Sequence, residues 1–170
     1  MRQGWYVALM LGLIPIQTTV LDYVNIAGVR PDLCLIAAFL AGFLIGEAPG
    51  ALTGMTLGFL QDLFSAGQLW INVLIKGIIG LLGGVFGRHL ANATAVSVVS
   101  MLFILSALSS SVFGVWFHGG NRPDILTLMQ ASIIPQALYD AALGGLLYWL
   151  VPHRRGRRDE FVDEITLFGR

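Results

Sequence analysis

Two ionisable side chains interrupt an apolar stretch that runs from Thr56 to Gly80. Asp62 and Lys76, the only lysine of the chain, lie on either side of a short turn, with Gln61 and Asn72 beside them. A charge inside a membrane is costly without a counter-charge, so we expect Asp62 and Lys76 to pair, with Asn72 and Gln61 supplying further hydrogen bonds. Such a pair would either fix the register of two helices or bind a proton or a substrate.

Asp140 is a second candidate for a buried functional group. It falls near the middle of the last apolar run, with Gln136 one turn earlier and Tyr139 beside it. A carboxyl group at this depth is expected to make an internal polar contact. Two roles are open for it: a buried, hydrogen-bonded structural group, or a group that acts in transport or catalysis.

The spacing of the glycines predicts how the polar groups near Lys76 are positioned. Residues four apart lie on one face of a helix, and small residues let membrane helices approach each other closely. An antiparallel hairpin turning near Gly67 would place Asp62 opposite Asn72, with Lys76 about one turn deeper. The predicted helix-packing residues are Gly50, Gly54 and Gly58 before the turn and Gly80 and Gly84 after it.

No residue pattern indicates catalysis, a metal site or a bound cofactor. His89, His118 and His153 fall in separate loops, so we expect no histidine-based metal site. An intramembrane aspartyl pair of Asp62 and Asp140 is disfavoured because their expected depths differ. No basic surface remains for nucleic acid.

The elements that carry these residues are predicted to be helices in a lipid bilayer. Of the 170 residues, 56% are hydrophobic and 12% are charged, whereas a soluble domain carries about 25% charged residues. We therefore expect an all-α, polytopic membrane protein in which residues 1–152 form six transmembrane helices with short loops. The six apolar runs are Trp5–Val20, Leu33–Ile45, Ala51–Phe64, Leu69–Phe86, Ala95–Phe117 and Ala131–Val151.

The second and third runs are short for a bilayer-crossing helix, which needs roughly 20 residues. They are expected to form either two tilted spans or a re-entrant hairpin hinged at Glu47–Gly50. Either choice leaves both termini on one side of the membrane.

Basic residues predict that this side is the cytoplasm. Arg2, Arg88 and the arginine cluster after Pro152 lie on the side of the termini, and only Arg30 and Arg122 lie on the other. Cytoplasmic loops carry the excess of arginine and lysine in membrane proteins. The turn over 65–68 and the loop over 118–127 then lie on the extracytoplasmic side of the membrane.

Residues 153–170 are expected to form a cytoplasmic tail. Phe161, Ile165 and Phe168 recur at helical spacing among acidic residues. The tail therefore either forms a short amphipathic helix that binds a protein or stays frayed.

Two segments resemble the rod shape-determining MreD family. From Val29 to Leu74 the chain has Arg-Pro-Asp at the start of a helix, a glycine-rich helix, a Ser-Ala-Gly turn and an asparagine. From Ile133 to Arg155 it resembles the last helix and basic stop of that family, although Asp140 stands where a small amide is expected.

The resemblance implies a non-enzymatic scaffold in the bacterial inner membrane. Members of this family act in the elongation machinery that synthesises peptidoglycan and sets cell shape. The implied partners are the single-span protein MreC and, through it, RodA, PBP2 and the MreB filaments.

The resemblance also implies a fold similar to the substrate-binding subunits of energy-coupling transporters. The alternative function is accordingly capture of a small, vitamin-like molecule. A pocket for it would need convergent polar groups, and the candidates are Asp62, Asn72, Lys76, Gln130 and Gln136.

Overall fold

The fold is a bundle of α-helices. The computed structural model describes residues 29–64, 70–89, 94–117 and 129–150, together with Gly12. Within these ranges the helices are α1 (Leu33–Ile45), α2 (Glu47–Phe64), α3 (Ile71–His89), α4 (Ala95–Phe117) and α5 (Ile134–Leu150), and a π-helical turn, Met129–Ile133, precedes α5. Apart from Gly12, the predicted span Trp5–Val20 lies outside the described residues, and so does the tail over 153–170.

The break between α1 and α2 differs from the prediction. The expected hinge at Glu47–Gly50 is wrong, because these residues form the first turn of α2. Pro49 fits there, since the first turn of a helix needs no backbone N–H at that position. The chain instead reverses at Gly46, which has a φ angle of 140°. Only glycine adopts such a conformation readily, so a single residue separates the two helices.

Two of the described helices are long and apolar enough to cross a membrane, Ile71–His89 and the segment Ala95–Gly114 of α4. The 13 residues of α1 extend for only about 20 Å, which is short of a bilayer core of roughly 30 Å. The outward faces of α2 and α3 expose large apolar side chains such as Leu52, Phe59 and Leu74. These faces suit a lipid environment.

The helices pack as two groups that meet at α1. Helices α1, α2 and α3 lie against one another and form what we call the three-helix unit. Helices α4 and α5 form a pair, and α1 is the helix of the three-helix unit that approaches this pair most closely. The apolar core lies at this junction and is formed by Leu35, Ile36, Phe39, Leu40, Ile79, Val98, Leu102, Leu105, Ala141 and Tyr148.

Candidate functional site

The site is built on a backbone-to-backbone contact between α2 and α3. A methyl group at Gly54 would overlap the backbone carbonyl of Lys76, and one at Gly58 would overlap that of Asn72. Further along, Gly50 and Gly80 lie backbone to backbone in the same way. The glycine faces of the two helices therefore meet, in an antiparallel register that places Gly58 opposite Asn72.

This register is one helical turn away from the one expected from the sequence. The sequence argument placed Asp62 opposite Asn72, whereas Gly58 occupies that position. Asp62 nevertheless reaches Asn72, because its side chain lies beyond the start of α3 and points at the first turn of that helix. Asn72 Nδ2 donates a hydrogen bond of 2.6 Å to Asp62 Oδ1.

Asp62 caps α3 from the neighbouring helix. Its Oδ2 accepts hydrogen bonds from the backbone N–H groups of Trp70 at 3.0 Å and Val73 at 3.4 Å. The first N–H groups of a helix have no partner inside the helix, so a carboxylate there satisfies them and favours the positive end of the helix dipole. Trp70 has a φ angle of 93°, a strained value for a bulky residue.

Lys76 pairs with Asp32 rather than with Asp62. Its Nζ lies 2.8 Å from Asp32 Oδ2, and the lysine side chain is 1% exposed. The ammonium also donates hydrogen bonds to Asn72 Oδ1 at 2.9 Å and to Gln61 Oε1. The expected direct pair of Asp62 and Lys76 is therefore replaced by an arrangement in which Asn72 bonds to both.

The packing of α1 on α3 explains this choice of partner. Methyl groups at Gly83 and Gly87 would overlap the backbone carbonyls of Phe39 and Phe43, so α1 and α3 run parallel in a fixed register. The same register, continued two turns back from Phe39 and Gly83, brings Asp32 beside Lys76. Asp32 also caps α1, since its Oδ1 accepts a hydrogen bond from the backbone N–H of Leu35 at 3.0 Å.

Asp140 connects α5 to this group. It is fully buried. Its Oδ1 accepts a hydrogen bond of 2.7 Å from the backbone N–H of Asp32, and its Oδ2 accepts one of 2.5 Å from the Ser106 hydroxyl of α4. Gln136, the expected neighbour, is half-buried on α5 and takes no part in these two bonds.

These residues form one continuous polar network through all five described helices. Its members are Asp32, Gln61, Asp62, Asn72, Lys76, Ser106 and Asp140. In the part of the chain that the structure describes, every buried side-chain nitrogen and oxygen has a hydrogen-bond partner. The network thus joins helices that are distant in sequence by satisfying charges inside the bundle.

Asp32 and Ser106 were not identified from the sequence. Asp32 carried a signal, since aspartate before an apolar run is typical of a helix N-cap, but a cap does not reveal a partner on another helix. Ser106 lies among several serines of α4 and carried no signal that distinguished it.

The polar network offers ion pairing and hydrogen bonding. Across residues 29–64, 70–89, 94–117 and 129–150, no three histidine, cysteine, aspartate or glutamate side chains are placed to hold a metal ion. His89 is exposed and bonds to the Val85 carbonyl of its own helix at 2.8 Å. His118 and His153 lie outside the described residues.

One comparison with known proteins identifies relatives of the chain. The model of the family described as rod shape-determining protein MreD matches residues 4–153. No curated protein and no solved structure matches the chain. The expected likeness to the substrate-binding subunits of energy-coupling transporters therefore stays a prediction.

Proposed function

Since the chain belongs to the rod shape-determining protein MreD family, we propose that it is a non-enzymatic scaffold of the bacterial elongation machinery. It binds MreC in the inner membrane and, through MreC, is linked to RodA, PBP2 and the MreB filaments. The observation that carries the proposal is the family match, which spans residues 4–153 and so includes every described helix.

The geometry of the polar network supports a scaffold. Lys76 and Asp62 bond to Asp32, Asn72 and backbone N–H groups of the same chain. These contacts stabilise the three-helix unit from inside, which gives a scaffold a fixed surface for its partners. The alternative function, capture of a vitamin-like molecule, would require the same groups to face a ligand, and no observation favours it.

The proposed topology has six spans with both termini in the cytoplasm. In this arrangement the turn between α2 and α3 faces outward, and Asp62 and Lys76 lie in the outer half of the bundle. The support is the distribution of arginine described above, with Arg88 at the inner end of α3 and only Arg30 and Arg122 at the outer ends.

Affinity purification from native membranes tests the scaffold. The tagged chain, extracted in a mild detergent, should bring down the single-span MreC protein above the level seen with an unrelated tagged membrane protein. Gly54→Leu, which would overlap the Lys76 carbonyl, should lose MreC, whereas Gly114→Ala, at a position with open space around it, should retain it.

Two results would overturn the proposal. One is a monodisperse preparation of the chain that contains no MreC. The other is native mass spectrometry showing a bound small molecule in stoichiometric amount, which would support the transporter-like alternative.

A further inference from the structure

The two helix groups are held together by contacts of different kinds. Within the three-helix unit, glycines bring backbone against backbone, as where Gly83 meets the Phe39 carbonyl. Between α1 and the α4–α5 pair, side chains meet instead. A methyl group at Gly144 of α5 would come within 3.3 Å of the Ile36 side chain of α1, and none of its nearest atoms is backbone. We call this contact of α1 with α4 and α5 the seam.

The seam has a polar contact at one end and an aromatic contact at the other. At the outer end of the proposed topology, Asp140 accepts hydrogen bonds from the Asp32 N–H and the Ser106 hydroxyl. At the inner end, the rings of Phe43 and Tyr148 meet edge to face, with centroids 5.6 Å apart. Apolar side chains fill the space between, and such contacts have no fixed direction.

The polar contact is the part of the seam that depends on one side chain. Asp140 holds α1 and α4 at the same time, and both of its oxygens are used. Without it, the Asp32 N–H and the Ser106 hydroxyl would each be left to find another partner inside the bundle. The remaining seam contacts allow small sliding or swinging movements of packed helices.

We propose that the α4–α5 pair is a movable unit that swings on the Phe43–Tyr148 contact, and that Asp140 is the latch that holds it closed against Asp32. The three-helix unit stays intact during this movement, because its glycines place the backbones of neighbouring helices in direct contact. This device goes beyond the scaffold function and does not depend on which partner the protein binds.

Two thiols distinguish movement of the pair from unfolding of the whole bundle. Ala141→Cys places a reporter in the seam, where residue 141 is 2% exposed. Leu57→Cys, at a position that is 1% exposed in α2 and outside the seam, reports on the three-helix unit, and both reporters are introduced into a chain in which Cys34, the only cysteine of the sequence, is replaced by alanine. The full chain in native membranes is treated with membrane-permeant N-ethylmaleimide, and mass spectrometry of the peptides gives the alkylation rate at each position.

Asp140→Ala should raise the alkylation rate at position 141 by about tenfold or more, the change expected when buried hydrogen bonds are lost. The rate at position 57 should not change. Leu138→Ala, on the lipid-facing side of the same helix, is the matched control and should change neither rate. Ser106→Ala removes one of the two hydrogen bonds to Asp140 and should give a smaller increase in the alkylation rate at position 141. This variant replaces Asp140→Ala in the test if Asp140→Ala does not fold.

The proposal is wrong if both thiols become reactive together, because the bundle then opens only as a whole. It is equally wrong if Asp140→Ala and Ser106→Ala leave the rate at position 141 unchanged.

Discussion

The ion pair between Lys76 and Asp32 makes a quantitative prediction about stability. Lys76→Met would remove the positive charge that Asp32 pairs with. Asp32→Asn would likewise remove the negative charge that Lys76 pairs with. Asparagine is chosen at position 32 because it caps a helix as well as aspartate does, so the cap of α1 is preserved and only the charge is removed.

The expected loss of unfolding free energy follows from the burial of the two side chains. The side chain of Lys76 is 1% exposed and that of Asp32 is 13% exposed. Removing one partner of a buried pair costs about 3–5 kcal/mol of unfolding free energy. The lower end applies to Asp32→Asn, since Lys76 then keeps its bonds to Gln61 and Asn72. The double variant contains neither charge, so its loss should be smaller than the sum of the single losses by about 2 kcal/mol.

The free energy of unfolding is measured for the parent, the two single variants and the double variant. Each protein is titrated with sodium dodecyl sulfate in mixed micelles, and far-ultraviolet circular dichroism follows the loss of helix. A second cycle with Asp62→Asn and Lys76→Met is the matched control. Because Asn72 separates these two side chains and bonds to both, their coupling should be smaller than that of the first cycle. Additive losses in the first cycle, or stronger coupling in the second, would refute the assignment of Asp32 as the partner of Lys76.

Three further predictions concern topology, packing and the tail. Cysteines introduced at Gly67 and Gly156 in intact cells should react with an impermeant thiol reagent only at position 67, and labelling at position 156 would reverse the orientation. Gly54→Ala should lower the unfolding free energy clearly more than Gly114→Ala, because only the first methyl group meets backbone; equal losses would contradict the close packing of α2 on α3. Deleting the residues after Arg158 should weaken co-purification of partner proteins if the tail is a docking helix, and unchanged assembly and cell shape would exclude that role.

The sequence predicted the helices better than the contacts between them. The bounds of α1 and α4 agree with the apolar runs Leu33–Ile45 and Ala95–Phe117. Helix α2 begins at Glu47, earlier than the predicted Ala51. The prediction was late because the first turn of the helix contains a glutamate, a proline and a glycine, which are also typical of loops. Such residues are well tolerated where a helix starts, so composition alone placed the boundary too late.

The partner of Lys76 could not be found in the same way. Asp62 is close to Lys76 in sequence, and a hairpin argument favours close neighbours. Asp32 becomes a neighbour only through the parallel packing of α1 on α3, which depends on Gly83 and Gly87 meeting the backbone of another helix. No local pattern in the sequence specifies that register. The same limit applies to Asp140, whose partners are a backbone N–H and a serine from two other helices.

The polar network also resolves an ambiguity that the glycines create. Glycines repeat every four residues at 50, 54 and 58, so α2 could slide along α3 by one turn and still present a glycine at each crossing. Lipid provides no hydrophobic drive that would choose between the two registers. Such a slide would move Gln61 away from Lys76 and Asp62 away from the N–H groups that it caps, leaving charged groups unsatisfied inside the bundle. We infer that the glycines allow the close approach of the helices, and that the buried charges select the register in which they meet.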